Sequence, residues 1–151
     1  IPEPKIRKEK AKVPGIDGQK MSKSYGNIIE IFGAEKKIRK KIMSIITDST
    51  PVEDPKDPNQ SIIIDLFNLV GSTEDVEVMK SDFLKGGIGY GDFKKRLFEA
   101  FWDYFQPMRQ KRDELSEDLN YVDNVLQTGA EKAREAAKLT LKRARKACGI
   151  E

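Results

Sequence analysis

Apolar residues recur every three or four positions along most of this chain, and this spacing predicts a mainly helical protein. The first stripe covers residues 34–46, where isoleucines share one face and lysines crowd the others. Similar stripes cover 62–70 and 76–83 and predict two further buried helices. Before the first stripe, a short apolar patch covers residues 28–32. This patch fits a strand or a helix start equally well.

Aromatic and other large apolar residues form the strongest stripe, at Phe93, Leu97, Phe101, Phe105 and Met108. Rings at this spacing could stack nucleobases, but we interpret them as core because each buried ring removes a large apolar area from water. Pro107 predicts a kink in this helix, which Leu115 and Leu119 would extend. A last helix presents small residues on one face from Ala130 to Cys148. The pattern as a whole predicts a helical body of four or five helices.

Composition limits the available chemistry. The chain has 151 residues and no histidine, which excludes serine–histidine–aspartate catalysis and histidine zinc sites. The lone Cys148 excludes an internal disulfide and fits a reducing compartment. No apolar run approaches membrane-spanning length, so we expect a cytoplasmic protein without membrane contact. Because the chain opens on Ile1, and 1–12 looks like a lead-in from missing structure, we interpret it as a fragment or a trimmed product.

The charge is mild overall but unevenly distributed. Residues 1–48 carry twelve Lys/Arg against six Asp/Glu, 49–92 carry three against nine, and 93–151 carry thirteen against ten. Basic flanks around an acidic middle suit a protein that meets an anion at separate places. The acidic middle itself we interpret as ordinary surface charge.

The segment with the most chemical content is Lys20-Met21-Ser22-Lys23-Ser24. Two ammonium groups and two hydroxyl groups lie close together in it, which suits the binding of an anion. Its flanks contain the glycines of tight turns, Gly15, Gly18 and Gly26. These glycines are the predicted hinges of a mobile loop that closes on a polyphosphate.

We interpret Lys20 and Lys23 as fixed positive charges with a catalytic role, since a solvated lysine is no general base near neutral pH. They would offset the negative charge that develops on a pyrophosphate leaving group, and such stabilisation is often the largest catalytic contribution. Ser22 and Ser24 would donate hydrogen bonds to phosphate oxygens. The candidate ATP-binding residues are therefore Lys20, Met21, Ser22, Lys23 and Ser24.

The pentapeptide matches, letter for letter, the KMSKS signature of class I aminoacyl-tRNA synthetases. The longer run from Pro14 to Ser24 is similar to the signature loop of tryptophanyl-tRNA synthetases. Later segments resemble the same family: Thr47-Asp48-Ser49, Gly89-Tyr90-Gly91 leading into Phe93-Lys94, Pro107 after an aromatic helix, and Gly129-Ala130-Glu131-Lys132-Ala133 opening the final helix. The chain thus resembles the C-terminal half of a bacterial-type tryptophanyl-tRNA synthetase, with tyrosyl-tRNA synthetase as the main alternative.

The resemblance implies that a full-length enzyme converts tryptophan and ATP with Mg²⁺ to tryptophanyl-adenylate and pyrophosphate, then aminoacylates tRNA(Trp). It implies a homodimer and no protein-bound metal. The implied parts are the edge of a Rossmann-type α/β catalytic domain with the loop at 1–33, a helical anticodon-binding domain at 34–120, and a C-terminal helix at 121–151 that returns toward the catalytic domain. The family's other ATP signature contains histidine and lies elsewhere, so we predict that this chain alone makes no adenylate.

A row of basic residues on the last helix has two interpretations: Arg134, Lys138, Lys142 and Arg145. They are either a solvated surface, paired with Glu131 and Glu135, or a stripe that contacts the phosphates of tRNA. A helical RNA-binding module without catalytic ancestry is accordingly the alternative to a piece of a ligase.

Overall fold

The computed structural model describes residue 3 and residues 12–150 of the chain. The predicted lead-in at 1–12 lies, apart from residues 3 and 12, outside the described residues. The chain divides into two compact units, Ile1–Pro107 and Met108–Glu151.

The described residues form six α-helices and no β-strand. The helices are α1 (Glu35–Met43), α2 (Ile62–Val70), α3 (Thr73–Lys85), α4 (Tyr90–Tyr104), α5 (Gln106–Glu117) and α6 (Leu119–Ala147). This confirms the prediction of a mainly helical protein, with one helix more than expected. No helix among the described residues is both long enough and apolar enough to cross a lipid bilayer.

The core of the first unit forms around α4, which packs against α1 and α2, while α2 also packs against α3. The stripes predicted from sequence supply most of the core residues, among them Ile38, Ile42, Ile45, Ile63, Ile64, Leu66, Phe67, Val76, Met79, Phe83, Phe93, Leu97, Phe98 and Phe101. The rings of Phe83 and Phe93 lie 4.0 Å apart between centroids, so the aromatic stripe is core, as predicted. The stripe ends before Met108, which is 45% exposed.

Polar side chains cap the N-termini of α3 and of the 3₁₀ turn before α2. The hydroxyl of Ser72 accepts a hydrogen bond from the N–H of Asp75 at 3.1 Å and caps α3. Asp57 caps only the 3₁₀ turn Pro58–Gln60, and α2 begins after it.

The ambiguous patch at 28–32 is neither strand nor helix; it is irregular, with Ile29 buried in the core.

Two expectations about where helices bend or begin were wrong. Pro107 does not kink one long helix: α4 stops at Tyr104, and Pro107 lies in the first turn of α5, where its missing N–H disrupts no helical hydrogen bond. Gly129 does not open the last helix either. The helix starts ten residues earlier because the carboxylate of Asp118 caps the N–H of Tyr121 at 2.9 Å. Gly129 is an interior residue of α6.

A buried lysine fastens the acidic loop before α2, a feature that the sequence analysis missed. Lys56 is only 2% exposed. Its ammonium group donates to the carbonyl oxygens of Pro51, Val52 and Asp54 at 3.0, 3.2 and 3.0 Å. Its backbone N–H donates to the carbonyl of Phe83 at 2.8 Å. The loop is therefore tied to the end of α3.

Candidate functional site

The pentapeptide lies in a loop of the first unit that closes on itself; we call residues 13–27 the signature loop. Its two sides pair at an isolated antiparallel bridge between Pro14 and Lys20. The N–H of Met21 donates to the carbonyl of Val13 at 2.9 Å, and the N–H of Gly15 donates to the carbonyl of Gln19 at 2.7 Å. The backbone of the first half of the loop is thus held by its own hydrogen bonds.

Asn27 anchors the two halves of the signature loop to each other. Its side chain is buried, with 2% exposed. The carboxamide oxygen accepts from the N–H of Ser22 at 2.8 Å. The carboxamide nitrogen donates to Asp17 Oδ1 at 2.8 Å and to the carbonyl of Lys20 at 3.2 Å. The carbonyl of Asn27 accepts from the N–H of Ile16 at 3.1 Å. One residue therefore fixes the base of the loop at four points.

This anchoring role of Asn27 could not be assigned from the sequence. The one available signal was an amide side chain three residues after the pentapeptide, since asparagine can both donate and accept. The hydrogen bond from Asn27 also lowers the pKa of Asp17 below its usual value. A charged Asp17 accepts from the N–H of Gln19 as well, at 3.0 Å, and completes the turn.

The two lysines of the pentapeptide are both exposed, but they line different clefts. Lys20 lines a cleft of about 690 Å³ that also includes Asp65 and Asn68 of α2. Lys23 lines a separate cleft of about 260 Å³, together with Lys41 of α1. Neither of these two clefts is lined by both lysines.

The other residues of the pentapeptide divide between packing and hydrogen bonding. Met21 is partly buried and packs against the core. The hydroxyl groups of Ser22 and Ser24 lie 2.8 Å apart and share a hydrogen bond. Residues Lys23–Tyr25 form a 3₁₀ turn that ends at Gly26. Met21 thus holds the loop on the protein, while Lys20, Lys23 and Ser24 are exposed and Ser22 is half-buried.

Two different structural reasons explain why glycine is required at the three predicted hinge positions. Gly18 and Gly26 have φ angles of 76° and 64°, which disfavour any residue with a Cβ atom. Gly15 is needed for close approach instead, because a Cβ atom added there would come within 2.8 Å of the Cβ of Asn27 and clash with its carboxamide.

The basic stripe predicted on the last helix lies on α6 in the second unit. Its members are all exposed: Arg134, Lys138, Lys142 and Arg145. The ion pairs found among the described residues include none of the four, so the expected pairs with Glu131 and Glu135 do not form there.

Comparison with known proteins supports what the pentapeptide indicated. Residues 2–106 match the family described as class I tRNA synthetases (W and Y), and the chain belongs to this family. The tryptophan–tRNA ligase of Rhodopirellula baltica is 49% identical over 150 residues, covering 99% of this chain and 47% of the relative. The tryptophan–tRNA ligase of Fusobacterium nucleatum is 44% identical over 152 residues, covering 99% and 46%.

Solved structures agree with the sequence comparison. The crystal structure of tryptophanyl-tRNA synthetase from Campylobacter jejuni superposes with a TM-score of 0.86 at 41% identity, covering 92% of this chain and 45% of that one. A second structure from that organism, complexed with ADP and tryptophan, also gives 0.86 at 40% identity, covering 95% and 45%. The chain spans about half the length of the curated relatives it matches.

Proposed function

We propose that this chain is the C-terminal part of a tryptophan–tRNA ligase. The full-length enzyme would join tryptophan to ATP with release of pyrophosphate and then transfer the tryptophanyl group to tRNA(Trp). The observation that carries the proposal is the signature loop, which presents Lys20 and Lys23 to solvent on a base fixed by Asn27. The similarity to tryptophan–tRNA ligases over nearly the whole chain supports the choice of amino acid.

In this proposal, Lys20 and Lys23 offset the charge that develops on the pyrophosphate as it leaves. Both are free to reach a substrate, since neither takes part in an ion pair found among the described residues. They line different clefts here, and in this proposal the turn at Lys23–Tyr25 moves as both ammonium groups meet one triphosphate. The Campylobacter jejuni relative is complexed with ADP and tryptophan, which suits a nucleotide beside this loop.

The remaining roles follow the same proposal. ATP would enter with Mg²⁺, held by substrate phosphates. The helices between 34 and 120 would bind the anticodon of tRNA, the edge of the catalytic domain would lie at 1–33, and the helix at 121–151 would return toward that domain. The stripe on α6 would contact RNA phosphates, and the full-length enzyme would be a homodimer. Gly15, Gly18 and Gly26 would act as the hinges of the loop.

The test is ATP–pyrophosphate exchange by the full-length enzyme. Changing Lys20 or Lys23 to alanine should lower the exchange rate by roughly a hundredfold each, as expected for removal of a group that stabilises transition-state charge. Lys36→Ala, an exposed change on α1, is the control and should leave the rate unchanged. Equal rates for all variants would contradict a catalytic role of the loop.

The same assay separates the alternatives. Exchange that depends on tyrosine rather than tryptophan would assign the chain to a tyrosine enzyme. Binding of tRNA without any exchange would favour a non-catalytic RNA-binding module. The purified 151-residue chain alone should show no tryptophan-dependent exchange. Exchange by that chain would refute the prediction that adenylate formation needs the rest of the full-length enzyme.

A further inference from the structure

We propose that Lys41 is a positioning residue that anchors the pivot of the signature loop. Its ammonium group donates a hydrogen bond to the carbonyl oxygen of Gly26 at 2.6 Å. Gly26 lies directly between the exposed turn Lys23–Tyr25 and the anchored residue Asn27. The inference rests on the proposed function and adds a residue outside the pentapeptide to the machinery of the loop.

The turn itself has few other attachments. The N–H of Tyr25 donates to the carbonyl of Ser22 at 3.3 Å, and the N–H of Gly26 donates to the carbonyl of Lys23 at 3.2 Å. Both of these bonds are internal to the turn. Among the hydrogen bonds of the described residues, the bond from Lys41 is the one that ties residues 23–26 to the helical body.

Lys41 lies on α1, a helix that is well suited to serve as a fixed support. It lies in the last turn of α1, directly before Ile42. Ile38 and Ile42 are buried in the core, and α1 packs against α4. The stem of Lys41 therefore starts from a helix that cannot shift without disturbing the core.

The bond restricts how the loop can move. The carbonyl of Gly26 belongs to the planar peptide unit that joins it to Asn27. With that plane held by Lys41, the turn Lys23–Tyr25 has a fixed point after it, and the bond from the N–H of Ser22 to the carboxamide of Asn27 gives it a fixed point before it. Gly26 suits this role because it adopts a φ of 64° and a Cβ atom added there would have no atom within 4 Å.

The consequence concerns Lys23, which lies on the moving side of this pivot and lines the same cleft as Lys41. A turn that is held at both ends delivers Lys23 to a repeatable position. Without Lys41, the end of the turn at Gly26 is released, and Lys23 samples positions in which it does not meet the leaving group. Such a loss acts on the transition state more than on substrate binding.

The first experiment needs no activity. Backbone order parameters of Ser24, Tyr25 and Gly26 are measured by NMR in this chain. Lys41→Met keeps the stem but removes the donor, and it should lower the order parameters of all three amides, while Lys41→Arg restores them. Lys40→Met, an exposed neighbour on α1, is the matched control and should change nothing. Unchanged order in Lys41→Met would overturn the inference, whether or not the enzyme is active.

The second experiment measures ATP–pyrophosphate exchange by the full-length enzyme. Lys41→Met should lower kcat by about tenfold with KM for ATP within about twofold, the pattern for an interaction that matters in the transition state. Rescue by Lys41→Arg would support positioning by a donor at this point. A rise of about tenfold in KM for ATP, without loss of kcat, would overturn the inference. If the unmodified enzyme shows no exchange at all, the proposed function fails, and the NMR result still decides the role of Lys41.

Discussion

Asn27 packs against Gly15 so closely that the backbone on one side of the signature loop touches the side chain on the other. A Cβ atom added at Gly15 would come within 2.8 Å of the Cβ of Asn27 and would clash with its carboxamide. Both residues are buried. The contact explains how a loop rich in charged and hydroxyl side chains keeps a fixed base while its outer residues stay in solvent.

Replacing Gly15 with alanine should therefore destabilise the protein by about 1–3 kcal/mol, the usual range for overpacking a tight site. The free energy of unfolding is measured in urea from the fluorescence of Trp102, the only tryptophan. Gly91→Ala is the matched control, because Gly91 lies in the first turn of α4 and a Cβ atom there would meet nothing within 4 Å. That variant should be as stable as the unmodified protein or slightly more stable, since alanine is the better helix former. Equal stability of both variants would argue against the close packing.

The carboxyl group of Asp17 should titrate below its ordinary value because it accepts a hydrogen bond from Asn27. Since the pKa is lower in the folded than in the unfolded chain, the contribution to stability is present above pH 3.8 and is lost as the pH falls through the folded-state pKa. Asn27→Ala should move the pKa of Asp17 back up toward 3.8.

NMR titration of the side-chain carboxyl carbons measures this shift. Asp92 is an internal control, because its pKa is lowered by Lys95 on α4, far along the chain from the loop. The pKa of Asp92 should stay the same in Asn27→Ala. A pKa of Asp17 that does not respond to Asn27→Ala would show that the hydrogen bond is not the cause.

The sequence predicted the features that depend on local periodicity. Ile38 and Ile42 lie four residues apart, as do Phe93 and Leu97, and all four are buried in helices as the apolar spacing required. The pentapeptide was also identified from sequence alone, since its chemistry and its order of residues are both local. These parts of the fold and site depend only on residues that are close together in the sequence.

The features that the sequence did not reveal depend on contacts between distant residues. Asn27 contacts Asp17, ten positions away in the sequence, only once the loop has folded, so its role follows from the shape of the loop. The burial of Lys56 could not be predicted, because it depends on three carbonyl oxygens that the folded loop brings together. That Lys20 and Lys23 line different clefts is likewise a property of the folded loop, which a spacing of three residues could not show.

Removal of the buried ammonium group of Lys56 should be strongly destabilising. Lys56→Met keeps most of the apolar stem but leaves three carbonyl oxygens without their donor, for which we expect a loss of about 3 kcal/mol. Lys85→Met is the control, because Lys85 is exposed and its pair with Asp82 is at the surface, so the expected loss is below about 1 kcal/mol. Urea unfolding of the two variants measures the difference, and similar losses would show that Lys56 does not hold the loop.

The stripe on α6 can be tested by the salt dependence of tRNA binding to the full-length enzyme. Arg134 and Lys138 lie a turn apart on one side of the helix, whereas Lys132 and Arg143 lie on the opposite side at about 100° per residue. If the stripe contacts RNA phosphates, changing Arg134 and Lys138 to glutamine should weaken binding and reduce the slope of log K against log salt by about 1–2, since each lost phosphate contact removes a little less than one released counterion. The double change of Lys132 and Arg143 to glutamine alters the net charge equally and should leave the slope nearly unchanged. Equal effects of the two double variants would show that only the overall charge matters, and α6 would then be an ordinary solvated surface.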